Sequence, residues 1–317
     1  MSVLSTATRT IAPLLVEPAS IQGKKCIFVN TTWFMPGTQR NPLQEHAQKR
    51  LPAARFFDLD AVASEHPLGL KHMLPKPAQF AEARARLGIE PTSHVVLYDT
   101  HGVFSAPRAL YTFRAFGHTN SSVLNGGLPR WEAEGLPLDT AGAKEPTAVK
   151  SEVPAFDESV VKSYEQMVSN SSLDPASDST AALVLDARSR GRWLGTDPEP
   201  RPGLSSGHMS HSRSLPFQSF LDPVPASADG KPGYSVFKSP DGVRAALLGA
   251  LGGDEALLQQ VLEGKRSITN SCGSGMTACI LWLGLQLLGV KSAVYDESWT
   301  GYAMRAESKI ITGNALN

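Results

Sequence analysis

Two segments of this chain follow the same plan, and that repetition limits its architecture more than any other feature. Residues 94–117, HVVLYDTHGVFSAPRALYTFRAFG, and residues 266–289, RSITNSCGSGMTACILWLGLQLLG, each pass from a short apolar stretch through a loop into a longer apolar stretch. The first stretch has the length of a strand and the second that of a helix. Fainter echoes flank the pair. KCIFVN (25–30) and ALVLDAR (182–188) read as strands ahead of it, and SSVLNGGLPRW and SAVYDESWTGY as strands and loops behind it. Strands alternating with helices predict an α/β fold of two tandem domains, each a mainly parallel sheet with helices on both faces. The length of 317 residues suits two domains of ordinary size. We expect a first domain over 1–140, a linker rich in Ala, Pro, Lys and Glu over 141–155, and a second domain over 156–317. The Pro-, Gly-, Ser- and Asp-rich stretch 222–242 reads as a loop without catalytic content.

The two copies differ at the residue that follows the strand. The second has Cys272, opening the loop Cys272-Gly273-Ser274-Gly275-Met276-Thr277, and the first has Asp99. A cysteine beside the first turn of a helix meets unpaired N–H groups and the positive end of the helix dipole, a setting that favours the nucleophilic thiolate. Gly273 and Gly275 let the backbone curl with its N–H groups inward, as in an anion-binding nest. An aspartate cannot carry sulfur, so the first half reads as catalytically silent. A cysteine phosphatase would close this loop with an arginine, and that position is Ala278. A Walker loop would need Lys before Ser or Thr, which is missing. With no charged residue in the loop, any substrate charge must be held elsewhere. Arg192 and Arg201, in a Gly/Pro-rich stretch after the strand bearing Asp186, are the candidates, because guanidinium groups hold carboxylates through paired N–H bonds. Arg188, Arg190 and Arg213 read as surface residues. His208 and His211 read as structural, since no Cys/His pattern has zinc spacing.

Lys+Arg and Asp+Glu both number 30, so nothing argues for a nucleic-acid or membrane partner. Three cysteines argue against a disulfide framework and for a reducing compartment, cytoplasmic or mitochondrial. Cys26, in a predicted strand, and Cys279, in the predicted helix, read as core residues. No apolar run approaches the ~20 residues that span a bilayer. Residues 1–10 read as a disordered leader or a weak mitochondrial presequence.

The string CGSGMTA (272–278) resembles the active-site loop of the 3-mercaptopyruvate sulfurtransferases, two-domain rhodanese-like enzymes whose usual form is CGSGVTA. Thiosulfate-using members carry basic residues after the cysteine, which this loop lacks. The resemblance extends through FFDLD (56–60), KHMLP (71–75), YDTHGVFSAPR (98–108), FRAFGH (113–118), LNGGLPRWEAEGLP (124–137) and DARSRGRWLGTDPEPRPGLSSGHM (186–209). It ends in YDESWTGYAMR (295–305), with Glu297 where glycine is usual.

The resemblance implies tandem rhodanese-like domains and transfer of sulfane sulfur from 3-mercaptopyruvate, through a Cys272 persulfide, to a thiol acceptor such as thioredoxin or a sulfur-carrier protein. It places the substrate arginines at Arg192 and Arg201, the loop contacts at Gly273, Gly275, Met276 and Thr277, and an Asp60–His72–Ser274 relay that is either catalytic or a structural tie. It calls for no metal or organic cofactor. The alternatives are a thiosulfate-preferring enzyme of the same fold and a non-catalytic module that binds a sulfur carrier.

Overall fold

The computed structural model describes residues 12–142, 144–150 and 152–314; the stretch 1–10 read as a leader lies outside them. Twelve strands run in chain order as β1 Leu15–Val16, β2 Ile27–Asn30, β3 Arg55–Phe56, β4 Val95–Tyr98, β5 Ser121–Leu124, β6 Val161–Lys162, β7 Leu183–Asp186, β8 Arg213–Ser214, β9 Leu221–Val224, β10 Tyr234–Phe237, β11 Ile268–Ser271 and β12 Ala293–Tyr295. Two five-stranded sheets form, in the orders β1-β5-β4-β2-β3 and β6-β12-β11-β7-β8. The second order is the first with each strand replaced by its repeat. Every pairing within both sheets is parallel. The central strands β4 and β11 are buried at every position, as parallel strands covered on both faces must be. The α/β class and tandem arrangement are those the sequence predicts.

Each central strand feeds the buried helix read from the sequence, Ala106–Ala115 in the first half and Ala278–Leu287 in the second. The two helices pack on each other, with Tyr111 edge-on to Trp282 at a centroid distance of 5.4 Å. One continuous core therefore passes through both halves, from Val29 and Phe113 to Leu185 and Leu281. This explains why both helices are buried nearly all round: each is covered by its own sheet and by the other helix. The described residues between 140 and 157 form no helix or strand.

The stretch 222–242 is not a plain loop. β9 and β10 pair antiparallel, Phe237 opposite Leu221, and the helix Pro240–Ala250 follows. Turn-forming residues between 225 and 233 concealed two short strands whose inward residues, Leu221 and Phe237, are buried. The hairpin reaches the first half, where the Phe237 amide donates to Asn125 Oδ1 at 2.9 Å. At Gly102, with φ of +102°, a Cβ would lie 2.7 Å from the Ser235 nitrogen.

Gly284, inside the helix Ala278–Leu287, has a positional reason. A Cβ there would meet Phe220 Cδ2 at 2.4 Å, and Phe220 is fully buried. Glycine to alanine in a helix interior usually stabilises by ~0.5–1 kcal/mol. Here overpacking, which costs about 1–3 kcal/mol, should win. Gly284→Ala should lower the urea midpoint of unfolding; an unchanged or raised midpoint would contradict the packing argument.

Candidate active site

Cys272 follows the last residue of β11, so the central strand delivers its side chain to the carboxyl edge of the second sheet. The turn after β12 fixes its backbone. Cys272 N donates to Ser298 Oγ at 3.1 Å, while the Ser298 hydroxyl donates to the Tyr295 carbonyl at 2.8 Å. The carbonyls of Cys272 and Gly273 accept from the amides of Trp299 and Thr300 at 2.8 and 2.9 Å. Ser298 holds a φ of +51°, a strained conformation for a residue with a Cβ and a sign that its position is imposed by its neighbours. Cys272 is only 1% exposed.

The main-chain N–H groups from Gly273 to Thr277 donate to no carbonyl or side chain among the described residues, so the loop is an open nest of donors. The first half shows the same loop closed. Asp99 Oδ2 accepts from the amides of Phe104, Ser105 and Ala106 at 2.8 to 2.9 Å, and Oδ1 accepts from His101 at 2.9 Å. The repeat thus carries a built-in anion where the second half carries a thiol.

A cleft of about 480 Å³ opens onto the loop. One wall comes from the first half, through Leu70, Lys71 and Met73; the other comes from Arg201, Leu204, Glu297 and Thr300, with Ser274 between them. The two arginines read from the sequence converge on the loop: a Cβ at Gly273 would lie 3.2 Å from Arg192 Nη2 and 3.6 Å from Arg201 Nη1. They are not equivalent. Arg192 is held by Glu199, through Nε at 3.1 Å and through a short Nη2 contact. Arg201 forms no ion pair among the described residues. Burial pushes its pKa down, the charge of Cys272 opposes that, and neighbouring Arg192 adds to it.

Arg188, read as a surface residue, is fully buried and is corrected here. It pairs with Asp186 at 2.7 Å and Glu199 at 2.6 Å and lies 4.2 Å over the Trp299 ring. Its charge allows Glu199 to sit buried and grip Arg192 as well. Arg213 is also only partly exposed and leaves its Nε without a partner, whereas exposed Arg190 reaches Asn314. Met276 is 2% exposed and packs in the core, so only its main chain can serve the site. Thr277 stands at the start of the helix without a side-chain cap bond.

Asp60, His72 and Ser274 come together across the two halves. His72 Nδ1 lies 2.9 Å from Asp60 Oδ1, and Nε2 lies 2.8 Å from Ser274 Oγ. A carboxylate only accepts, so Nδ1 carries the proton and Nε2 accepts from the serine hydroxyl. Burial pushes the His72 pKa down; Asp60 pulls it up, and the charges of Arg108 and Arg201 push it down further, leaving it below the usual value. The imidazole is therefore neutral at neutral pH. Burial disfavours the Asp60 carboxylate, but the bonds from His72 and from Trp33 Nε1, at 2.9 Å, outweigh it and hold its pKa low.

Sequence reasoning missed Arg108. This guanidinium, 1% exposed on the helix Ala106–Ala115, donates from Nη2 to the His72 carbonyl and to Asp296 Oδ1, each at 2.6 Å, and from Nη1 to the Gly275 carbonyl at 3.3 Å. Asp296 Oδ2 accepts from the Leu74 amide at 2.8 Å. The available signal was an arginine inside an apolar helix, which must find a partner when buried. Of the other cysteines, Cys279 donates to the Gly275 carbonyl and burial pushes its pKa up to about 12, so it stays a thiol; burial also raises Cys26. Among the described residues no three His, Cys, Asp or Glu side chains gather as metal ligands would, and no helix is long and apolar enough to cross a membrane.

Removing one member of a buried ion pair costs about 3–5 kcal/mol. Arg108→Met should lose that much in urea unfolding. Adding Asp296→Asn, which keeps an acceptor for Leu74, should restore part of it. Strictly additive losses in the double variant would show that the two side chains do not depend on each other.

Comparisons with known proteins bear on the family and the fold. The family described as Rhodanese-like domain matches residues 40–134, within the half that carries Asp99. The chain is 33% identical to the probable 3-mercaptopyruvate sulfurtransferase of Schizosaccharomyces pombe, over 89% of this chain and 88% of that protein. It is 34% identical to the thiosulfate sulfurtransferase of Cricetulus griseus, over 90% and 89% of the two chains. The crystal structure of the Tum1 protein from Saccharomyces cerevisiae superposes with a TM-score of 0.79 at 27% identity, covering 95% of this chain and 98% of that one. With about nine-tenths of its length matched to these relatives, the chain belongs to the tandem rhodanese-domain sulfurtransferase family that includes the 3-mercaptopyruvate sulfurtransferases, and it is an enzyme that transfers sulfur-containing groups.

Proposed function

We infer that this sulfurtransferase takes sulfane sulfur from 3-mercaptopyruvate onto Cys272 and passes it to a thiol acceptor. The observation that carries the reading is the open ring of loop amides around Cys272, free of charged side chains, with the unpaired Arg201 guanidinium beside it. Arg201, assisted by Arg192, suits the α-keto carboxylate of the donor. His72 draws the Cys272 thiol proton through the Ser274 hydroxyl. The thiolate attacks the donor sulfur. As the S–S bond forms, the C–S bond of mercaptopyruvate breaks, and its electrons become the enolate of pyruvate. The loop amides from Gly273 to Thr277, together with Ser274, stabilise the developing negative charge. The proton returns through Ser274 to the enolate carbon, releasing pyruvate and leaving the Cys272 persulfide. An acceptor thiolate then attacks the outer sulfur and frees Cys272. The chemistry needs no metal or organic cofactor.

We assign residues 1–140 to a silent first domain, 141–155 to a linker and 156–317 to the catalytic domain. Asp99 in the nest supports the first assignment. Thioredoxin or a sulfur-carrier protein fits as acceptor, its thiol approaching the Cys272 loop along the cleft beside Ser274. The three unpaired cysteines suit the cytoplasm or the mitochondrion, and one relative, from Arabidopsis thaliana, is mitochondrial by name.

Exposure to each donor followed by mass measurement tests the function. Mercaptopyruvate should add one sulfur atom to the wild type, Cys26→Ser and Cys279→Ser, and none to Cys272→Ser. Its kcat/KM should exceed that of thiosulfate. A clear thiosulfate preference would replace the donor assignment, and absence of any adduct would favour a sulfur-carrier-binding module instead.

The relay predicts coupling. Groups that act as one unit are strongly non-additive in their effect on rate. His72→Ala combined with Ser274→Ala should be little slower than the worse single variant. Burial keeps His72 neutral, so the wild-type kcat should hold as pH falls through about 6.5, the ordinary imidazole value, and decline only below it. Losses that add in free energy would show that the two residues work separately, and a loss of stability alone would make the trio a structural tie.

A further inference from the structure

A second cavity, of about 530 Å³, lies between the halves at the opposite ends of the same strands. It shares no lining residue with the cleft: β11 enters its wall at Ile268 and leaves at the far edge, before Cys272. Its charged lining is Arg114, Lys162 and Lys291 against one carboxylate, Asp157. That carboxylate accepts from the Ser159 amide at 3.0 Å and the Ser159 hydroxyl at 2.6 Å, so it is committed locally. None of the three cations forms an ion pair among the described residues.

Arg114 is the most telling of them. Its Nη2 donates to two neutral carbonyls, Ala12 at 2.9 Å and Ser121 at 2.6 Å, and its Nε is buried without a partner. Burial alone pulls its pKa down to about 10. A guanidinium that loses water without gaining a counter-charge is a standing electrostatic cost that an anion would relieve. Trp282, 4% exposed on the same wall, also leaves its indole N–H without a partner. Three unmatched cations around a roomy polar cavity favour a compact ligand with more than one negative charge, gripped by charge-assisted hydrogen bonds.

We propose that this cavity is a binding site for a phosphate-class oxyanion, separate from the sulfur-transfer site. A ligand there would touch Tyr111 and Arg114 from the first half and Lys162, Lys291 and Trp282 from the second, and so would hold the halves together. Because it binds only the folded chain, it should raise the melting temperature in proportion to the logarithm of its concentration.

The test is calorimetric titration of the full chain with inorganic phosphate. Three proteins are compared: wild type, Arg201→Gln, and the double variant Lys162→Gln/Lys291→Gln. Both lysines are on the cavity rim, so the double variant should fold normally, and its melting temperature without phosphate checks this. Saturable binding is expected in the wild type and in Arg201→Gln, at least about tenfold weaker in the double variant. A parallel titration with a phosphomonoester identifies the source: tighter binding of the ester points to an organic phosphate, and equal or weaker binding to the free ion. Absence of saturable binding to the wild type would overturn the proposal. So would binding lost in Arg201→Gln but kept in the double variant, which would place the anion in the cleft.

Discussion

The geometry around Cys272 depends on the position of one buried guanidinium. Arg108 belongs to the first half, yet it holds the carbonyl of His72, the carbonyl of Gly275 and the carboxylate of Asp296 together. Those groups come from the loop that bears the imidazole, the loop that bears Cys272 and the turn after β12. An arginine is suited to this because its planar fork presents several donors in fixed directions and remains charged when buried. Its neighbours raise its pKa despite burial, with Asp296 the largest favourable influence. The His72–Ser274 hydrogen bond, which crosses from one half to the other, can keep its length only if the two loops keep their separation. Arg108 sets that separation.

A second constraint concerns how positive charge is distributed around Cys272. Four arginines lie near the Cys272 loop, but their charges are not equally available. Arg108 is committed to Asp296, and Arg188 to Asp186 and Glu199. Arg192 shares Glu199, and only Arg201 is left without a carboxylate. Buried carboxylates thus orient three of the four and leave Arg201 without an ion pair among the described residues. Orientation by such outer partners is what fixes a binding group within a fraction of an ångström of its working position.

The architecture was legible in the sequence because the repeated strand-loop-helix pattern is local. Short apolar runs, the loop glycines and two long apolar runs give the strands β4 and β11 and the helices after them without any knowledge of the fold. Cys272 was legible for the same reason. Pairings across 202 residues, such as His72 with Ser274, could be placed only through resemblance to a family. Arg188, buried between Asp186 and Glu199, was read wrongly as a surface residue, since a run of arginines among Gly and Pro looks like surface and the partner at Glu199 lies on the far side of a turn. The hairpin of β9 and β10 was hidden by its own turn, where Pro, Gly and Ser outweigh two strands of four residues each.

Asp99 gives the loop of the first half a further meaning. An anion that must diffuse into a ring of amides competes with water and with every other anion in solution. A carboxylate attached to the end of β4 is instead present at an effective concentration set by a few rigid bonds, which no free ligand would match. Placing a cysteine at residue 99 would therefore do more than install a nucleophile. It would remove the permanent occupant on which the first loop's fold rests, and the loop would have to find another way to satisfy its amides. The first half fills with its own carboxylate the ring of amides that the second half leaves open around Cys272.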